Sequence, residues 1–170
     1  GEYFARMREL EEEGWLASVL SDLSALDLSP GDLEIEITET TAMTVTASVR
    51  GALQTLRGMG ARVAIDDFGT GYASLGQLQR LNADVLKIDR TFVDRLDAEG
   101  SHGDRELIRA MLQLAGAFDL DTIAEGVETE TQRAFLASSG CTAAQGYLFA
   151  KPLPGEAVEP WLRGHGTLAG

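Results

Sequence analysis

The sequence predicts an α/β fold, a parallel sheet with crossover helices of the β/α-barrel kind, and three observations carry that expectation. Short apolar segments with strand character alternate with segments of helical period between residues 33 and 147. That alternation is the pattern of parallel strands joined by crossover helices. The five predicted strands also end in polar residues: Glu36, Asp66 with Asp67, Lys87 with Asp89, Glu125, and Gln145. In a barrel every loop after a strand opens onto one bowl, whereas an open doubly wound sheet gathers its ligand at one crevice. Polar residues at all five ends therefore favour the barrel. Finally, no phosphate-cradling Gly-x-x-x-x-Gly-Lys and no Gly-x-Gly-x-x-Gly follows a strand, which argues against nucleoside triphosphate and dinucleotide sites.

The elements follow in order. Over residues 6–26, Met7, Leu10, Trp15, Leu16, Val19, Leu20 and Leu23 recur at the spacing of an amphipathic helix. Ser29-Pro30-Gly31-Asp32 is a turn, and Leu33-Glu34-Ile35-Glu36-Ile37 alternates as a strand does. Val49, Leu53, Leu56 and Met59 mark a second helix, with Gly60 placed to end it. Val63-Ala64-Ile65 is a short apolar strand running into Asp66-Asp67. Ser74 to Leu81 reads as helix and Val85 to Asp89 as a buried strand. Leu107, Ile108, Met111, Leu112 and Leu114 set a helix from Asp104 to Phe118, and a strand over 121–124 runs into Glu125. Thr129 to Ser138 is helical, Ala143 to Tyr147 is strand-like, and Pro152 to Pro154 breaks the chain. The organisation expected is a helix and turn over 1–32, the barrel portion over 33–154, and a terminal helix with a loose tail over 155–170.

Composition narrows the function. A chain of 170 residues suits one domain by size alone. With 27 acidic against 14 basic residues the net charge is −13, which argues against a surface for duplex nucleic acid. The single cysteine, Cys141, excludes an internal disulfide and a Cys-based zinc site. No apolar run approaches the roughly 18 residues of a membrane helix and no signal peptide opens the sequence, so a cytoplasmic location is expected.

Carboxylates converging on one rim repel each other unless a cation neutralises them. A hard divalent ion such as Mg²⁺ or Mn²⁺ suits oxygen ligands of this kind. Lys87, one of only two lysines, would add a positive charge for an anionic substrate or orient a nucleophilic water. Together these groups describe metal-assisted hydrolysis, most naturally of a phosphoester. Adjacent Asp66 and Asp67 would point to opposite faces of a regular strand, so at least one is expected beyond the strand end. Plainer readings stand beside this one. Asp66-Asp67 could cap the next helix, Lys87 could pair with Asp84 or Asp89, and Glu125 and Glu128 could be a solvated helix start. Cys141 reads as a small buried apolar residue.

Taken in order, Leu33-Glu-Ile-Glu-Ile-Thr-Glu39, Ile65-Asp-Asp-Phe-Gly-Thr-Gly-Tyr72, Leu86-Lys-Ile-Asp89, Ala124-Glu-Gly-Val-Glu128, Gln145-Gly-Tyr147 and Lys151-Pro-Leu-Pro154 resemble the EAL domain family. The resemblance implies a modified (β/α)8 TIM-like barrel that hydrolyses one phosphodiester bond of cyclic di-GMP with Mg²⁺ or Mn²⁺, in bacterial second-messenger signalling. It implies Glu36, Asp66, Asp67 and Glu125 as metal ligands, and Lys87 and Asp67 as the catalytic residues, with Lys87 positioning the attacking water. Gln145 and Asp89 would contact substrate. Glu39, Phe68, Gly69, Thr70, Gly71 and Glu128 would form a regulatory loop that couples metal and substrate binding to dimerisation.

The front of the sequence departs from that pattern. The Glu-Ala-Leu that names the family, whose Glu binds metal, does not occur, and a metal-binding Asn expected ahead of the first helix is absent. Asn82, the only Asn, lies beside the Lys87 strand. The expectation is an incomplete barrel of about five parallel strands, against about 250 residues for a whole one. Its two open edges should be satisfied by a homodimer, by exchange of elements, or by a separate N-terminal segment of a larger, membrane-attached signalling protein. These absences put in question the activity of this chain alone. The first rival is a degenerate module that binds cyclic di-GMP without hydrolysis or serves protein interaction and dimerisation. The second is an unrelated metal-dependent barrel enzyme acting on enolates.

Overall fold

Six parallel strands lie side by side in chain order in the computed structural model, which describes residues 2–4, 14–70, 81–98 and 100–165. They are β1 (Glu2–Phe4), β2 (Glu34–Thr38), β3 (Arg62–Phe68), β4 (Val85–Ile88), β5 (Asp121–Ala124) and β6 (Ala143–Ala144). Every neighbouring pair is parallel, so each connection must cross over the sheet. Helices α1 (Trp15–Ala25), α3 (Ala47–Gly58), α5 (His102–Ala117) and α6 (Glu130–Ser138) make four of these crossings. The helix expected over Ser74–Leu81 falls in the remaining crossing, almost wholly outside the described residues. Short helices α2 (Glu39–Ala42) and α4 (Arg90–Val93), the latter continued by a 3₁₀ turn over Asp94–Asp97, follow β2 and β4 directly. Helix α7 (Gly155–His165) ends the described chain.

Strand β1 is an addition to the five strands expected. Three residues are too few to show alternation, so only its pairing with β2 reveals it. β6 is shorter than the expected segment, because the chain turns at Gly146. Among the described residues the sheet stays open, with β1 and β6 at its edges.

The parallel register sorts the side chains into two faces. Ile35 pairs with Val63, Ile37 with Ile65, and Ile65 with Leu86, so these residues stand on one face, with Ile88. That face packs under Val19, Leu23, Val49, Leu53, Leu56, Ile108 and Met111 of the helices. Burying each such side chain stabilises the fold by about 1.5–3 kcal/mol. The opposite face carries Glu36, Ala64 and Lys87, all buried, and Asp66. An apolar face under helices matches the outer strand face of a β/α barrel, and the polar residues on the opposite face gather at the strand C-terminal ends, where such a barrel holds its site.

Helix starts are fixed by side-chain caps. Thr46 accepts from Val49 N at 3.3 Å, and Thr129 and Gln132 form a reciprocal capping box on α6. Below the sheet, Asp84 accepts from Arg57 Nε at 2.8 Å and from Val63 N at 2.9 Å, tying α3 and β3 to the start of β4.

Candidate active site

Lys87 lies near the C-terminal end of β4 and is 3% exposed. Its Nζ donates to Glu36 Oε1, lies 2.7 Å from Glu125 Oε1, and faces Asp66 Oδ1 at 3.5 Å. The three carboxylates arrive from β2, from the loop after β5 and from β3. Glu36 and Lys87 meet across the intervening strand because Ala64, the register partner of Glu36, puts only a methyl between them. Burial works against the charge on Lys87. Hydrogen bonds to Glu125 and Glu36, with the charges of Glu125 and Asp66, outweigh it and hold the ammonium above the usual lysine range.

Both aspartates lie inside β3, whereas the sequence suggested that at least one lies beyond it. Ile65 pairs with Leu86 and Phe68 with Ile88, so Asp66 and Asp67 together oppose the single residue Lys87. This is a β-bulge, and Asp67 takes the left-handed conformation (φ 55°) that Asp tolerates better than most residues. The bulge keeps two adjacent carboxyls at one strand end. Burial, and then the charges of Asp66 and Asp89, raise the Asp67 carboxyl above its ordinary range. Asp89 caps α4, accepting from Thr91 N at 2.9 Å.

The remaining expected residues fall around this centre. Gln145 Nε2 donates to Glu125 Oε1 at 2.9 Å, the same oxygen that receives Lys87. Glu39, 2% exposed at the start of α2, accepts from Gly69 N at 2.9 Å. Phe68 is buried in the core, Thr70 Oγ1 donates to Asp67 O at 2.8 Å, and Gly71 lies outside the described residues. Glu128 accepts from Arg90 Nη2 at 2.9 Å.

Two plain readings of single residues do not hold. Lys87 pairs with neither Asp84 nor Asp89, because the parallel sheet brings distant carboxylates closer than its chain neighbours. Cys141 is only partly buried, its Sγ lying 3.1 Å from Ala143 O. Two polar residues escaped sequence reasoning: Arg90, and Gln132, which is 3% exposed. The Thr129-x-x-Gln132 capping-box spacing was the available signal for the latter.

Among the described residues no cluster of three acidic, His or Cys side chains forms a cage for a metal ion. The donor chemistry nonetheless fits a hard cation. The carboxylates supply oxygen alone, and Asp66 Oδ1, 3.5 Å from Lys87 Nζ, is buried with no hydrogen-bond partner among the described residues.

The EAL domain family matches residues 5–152, and the chain belongs to it. The chain is 44% identical over 133 residues to the cyclic di-GMP phosphodiesterase NbdA of Pseudomonas aeruginosa, a match that covers 78% of this chain and 17% of NbdA. It therefore spans less than a quarter of that relative's length. The PaMucR phosphodiesterase in complex with c-di-GMP superposes with a TM-score of 0.84 at 38% identity, covering 92% of this chain and 63% of that one. A manganese and cyclic di-GMP complex of Klebsiella pneumoniae BlrP1 superposes with a TM-score of 0.78 at 30% identity, over 89% of this chain and 38% of that one.

Proposed function

We propose that this chain carries the catalytic rim of a metal-dependent phosphodiesterase that hydrolyses cyclic di-GMP to the linear dinucleotide. The observation that carries the reading is one buried ammonium, Lys87, held among Glu36, Asp66 and Glu125 at one end of the sheet in a chain of the EAL family. Manganese and the nucleotide in a related solved structure support the metal and the substrate class.

Glu36, Asp66, Asp67 and Glu125 would hold Mg²⁺ or Mn²⁺. A bound divalent ion supplies Lewis acidity, lowering the pKa of bound water and neutralising phosphoryl charge. The carboxylates around Lys87 favour its ammonium form, which suits a donor rather than a base. Lys87 acts as a donor, orienting the attacking water and stabilising negative charge that builds on the phosphate. Gln145 orients Glu125, and with Asp89 it contacts substrate. Glu39, through Gly69, holds the loop that follows the bulge.

A second reading, a module that binds cyclic di-GMP without cleaving it, is favoured by the lack of a preformed metal cage among the described residues. Incubating the chain with cyclic di-GMP and Mn²⁺ separates the two. Linear product that needs the metal supports hydrolysis; saturable binding with no product supports the receptor. No described helix is long and apolar enough to cross a membrane, and a cytoplasmic, dimeric module suits this function.

A further inference from the structure

We propose that Gln132 is a positioning residue that sets Glu125 against Lys87; the inference rests on reading Lys87 as the centre of the site. Gln132 lies on the first turn of α6, 3% exposed. A buried amide is costly unless its donor and acceptor are both used. Here Oε1 accepts from Glu128 N at 2.8 Å and Thr129 N at 3.1 Å, and Nε2 donates to Val93 O at 3.3 Å. The first two bonds pin the loop that begins at Glu125. The third reaches helix α4, which follows the Lys87 strand after Asp89 alone. One side chain thus spans the extensions of both strands.

Other contacts repeat the link and leave the loop little freedom. Arg90 bonds Glu128, and Thr129 Oγ1 donates to Asp97 Oδ2 at 2.9 Å. Glu125 N donates to Ile88 O, and Val127 N to Gln145 O, each at 3.0 Å. Gly126 (φ 71°) lies so close to α4 that a Cβ there would meet Arg90 Cγ at 2.4 Å. A helix cap needs only the acceptor, which Glu supplies as well as Gln. The bond to the Val93 carbonyl is what a cap does not need, and a carboxylate could not make it.

Because the chain holds only Lys87 and Lys151, ¹⁵N-lysine labelling reads the site directly. The buried, paired Lys87 ammonium should give a slowly exchanging Nζ signal that exposed Lys151 lacks. Gln132→Ala should shift or abolish that signal. Thr46→Ala, which uncaps α3 and bonds none of the partners of Lys87, should lower the melting temperature and leave the signal in place. An unmoved Lys87 signal in folded Gln132→Ala overturns the proposal and makes Gln132 a cap alone. If that variant does not fold, Gln132→Glu decides: it keeps the acceptor and removes the donor, so a shifted signal supports positioning and an unshifted one overturns it. A wild-type Lys87 signal that exchanges as fast as Lys151 overturns the site reading, and the proposal with it.

Discussion

Lys87 Nζ lies 2.7 Å from Glu125 Oε1, and the two residues stand at the ends of adjacent parallel strands. With Glu36 and Asp66 on the same ammonium, one positive charge is held among three carboxylates at the strand ends.

Removing that charge should stop the chemistry. In an active preparation Lys87→Ala is expected to lower turnover of cyclic di-GMP by about 10²–10³-fold, the range for removing one donor that stabilises developing negative charge. It also breaks the buried ion pair of Lys87 with Glu36, a loss of about 3–5 kcal/mol. Product assays are therefore to be read beside a melting curve, and turnover at the wild-type rate would remove Lys87 from the mechanism.

Divalent ions should stabilise the fold. Mn²⁺ at a hundred times its Kd is expected to add about 2.7 kcal/mol, visible as a rise in Tm that a chelator reverses. Asp66→Ala should abolish most of that rise. If the rise survives in Asp66→Ala, the metal is held elsewhere.

Acid should loosen the lower side of the sheet. Burial tends to raise the Asp84 carboxyl, but the Arg57 and Val63 hydrogen bonds and the nearby guanidinium charges outweigh it, so its pKa is lowered on folding. A depressed carboxyl contributes stability that is present above its unfolded pKa, about 3.9. That stability is lost as pH falls through the lower folded value. Asp84→Asn should cost about 2 kcal/mol at pH 7, and the difference from wild type should shrink toward pH 2. Urea melts across that range check it, and a gap that widens in acid would contradict the assignment.

Gly69 should not accept a side chain. Its φ is 98°, and a Cβ would lie 2.3 Å from Met111 Cε. Gly69→Ala is expected to cost more than about 1 kcal/mol and to speed amide exchange at residue 69, where the N–H now bonds Glu39. Unchanged exchange would show that the loop has another anchor.

Edges matter as well. Because β1 and β6 each have one neighbour among the described residues, light scattering is expected to find a dimer. A cooperative monomer would show that the edges are protected within the chain.

Much of this was legible in the sequence, for identifiable reasons. Ile35, Ile37, Val63, Ile65, Leu86 and Ile88 announce buried strands because one face of a parallel sheet is covered by helices. Glu36, Asp66, Lys87, Glu125 and Gln145 could be placed at one rim because parallel strands end on the same side. The partners of Lys87 could not be chosen, since chain neighbours Asp84 and Asp89 look as available as distant Glu36 and Glu125. Gln132 was hidden because a cap and a bridge share the same residue type. β1 was hidden because three residues carry no period.

The bulge at Asp66-Asp67 makes this rim depend on counting. Up to Ile65 the parity of β3 follows that of β4, and one extra residue then restores Phe68 to step with Ile88. Deleting either aspartate would leave a regular ladder of good hydrogen bonds with one carboxyl fewer opposite Lys87. Inserting a residue there would turn Phe68 off the apolar face. Substitutions at this end can be graded, but a change of length cannot, so across the family the distance from Ile65 to Phe68 should vary far less than the residues within it.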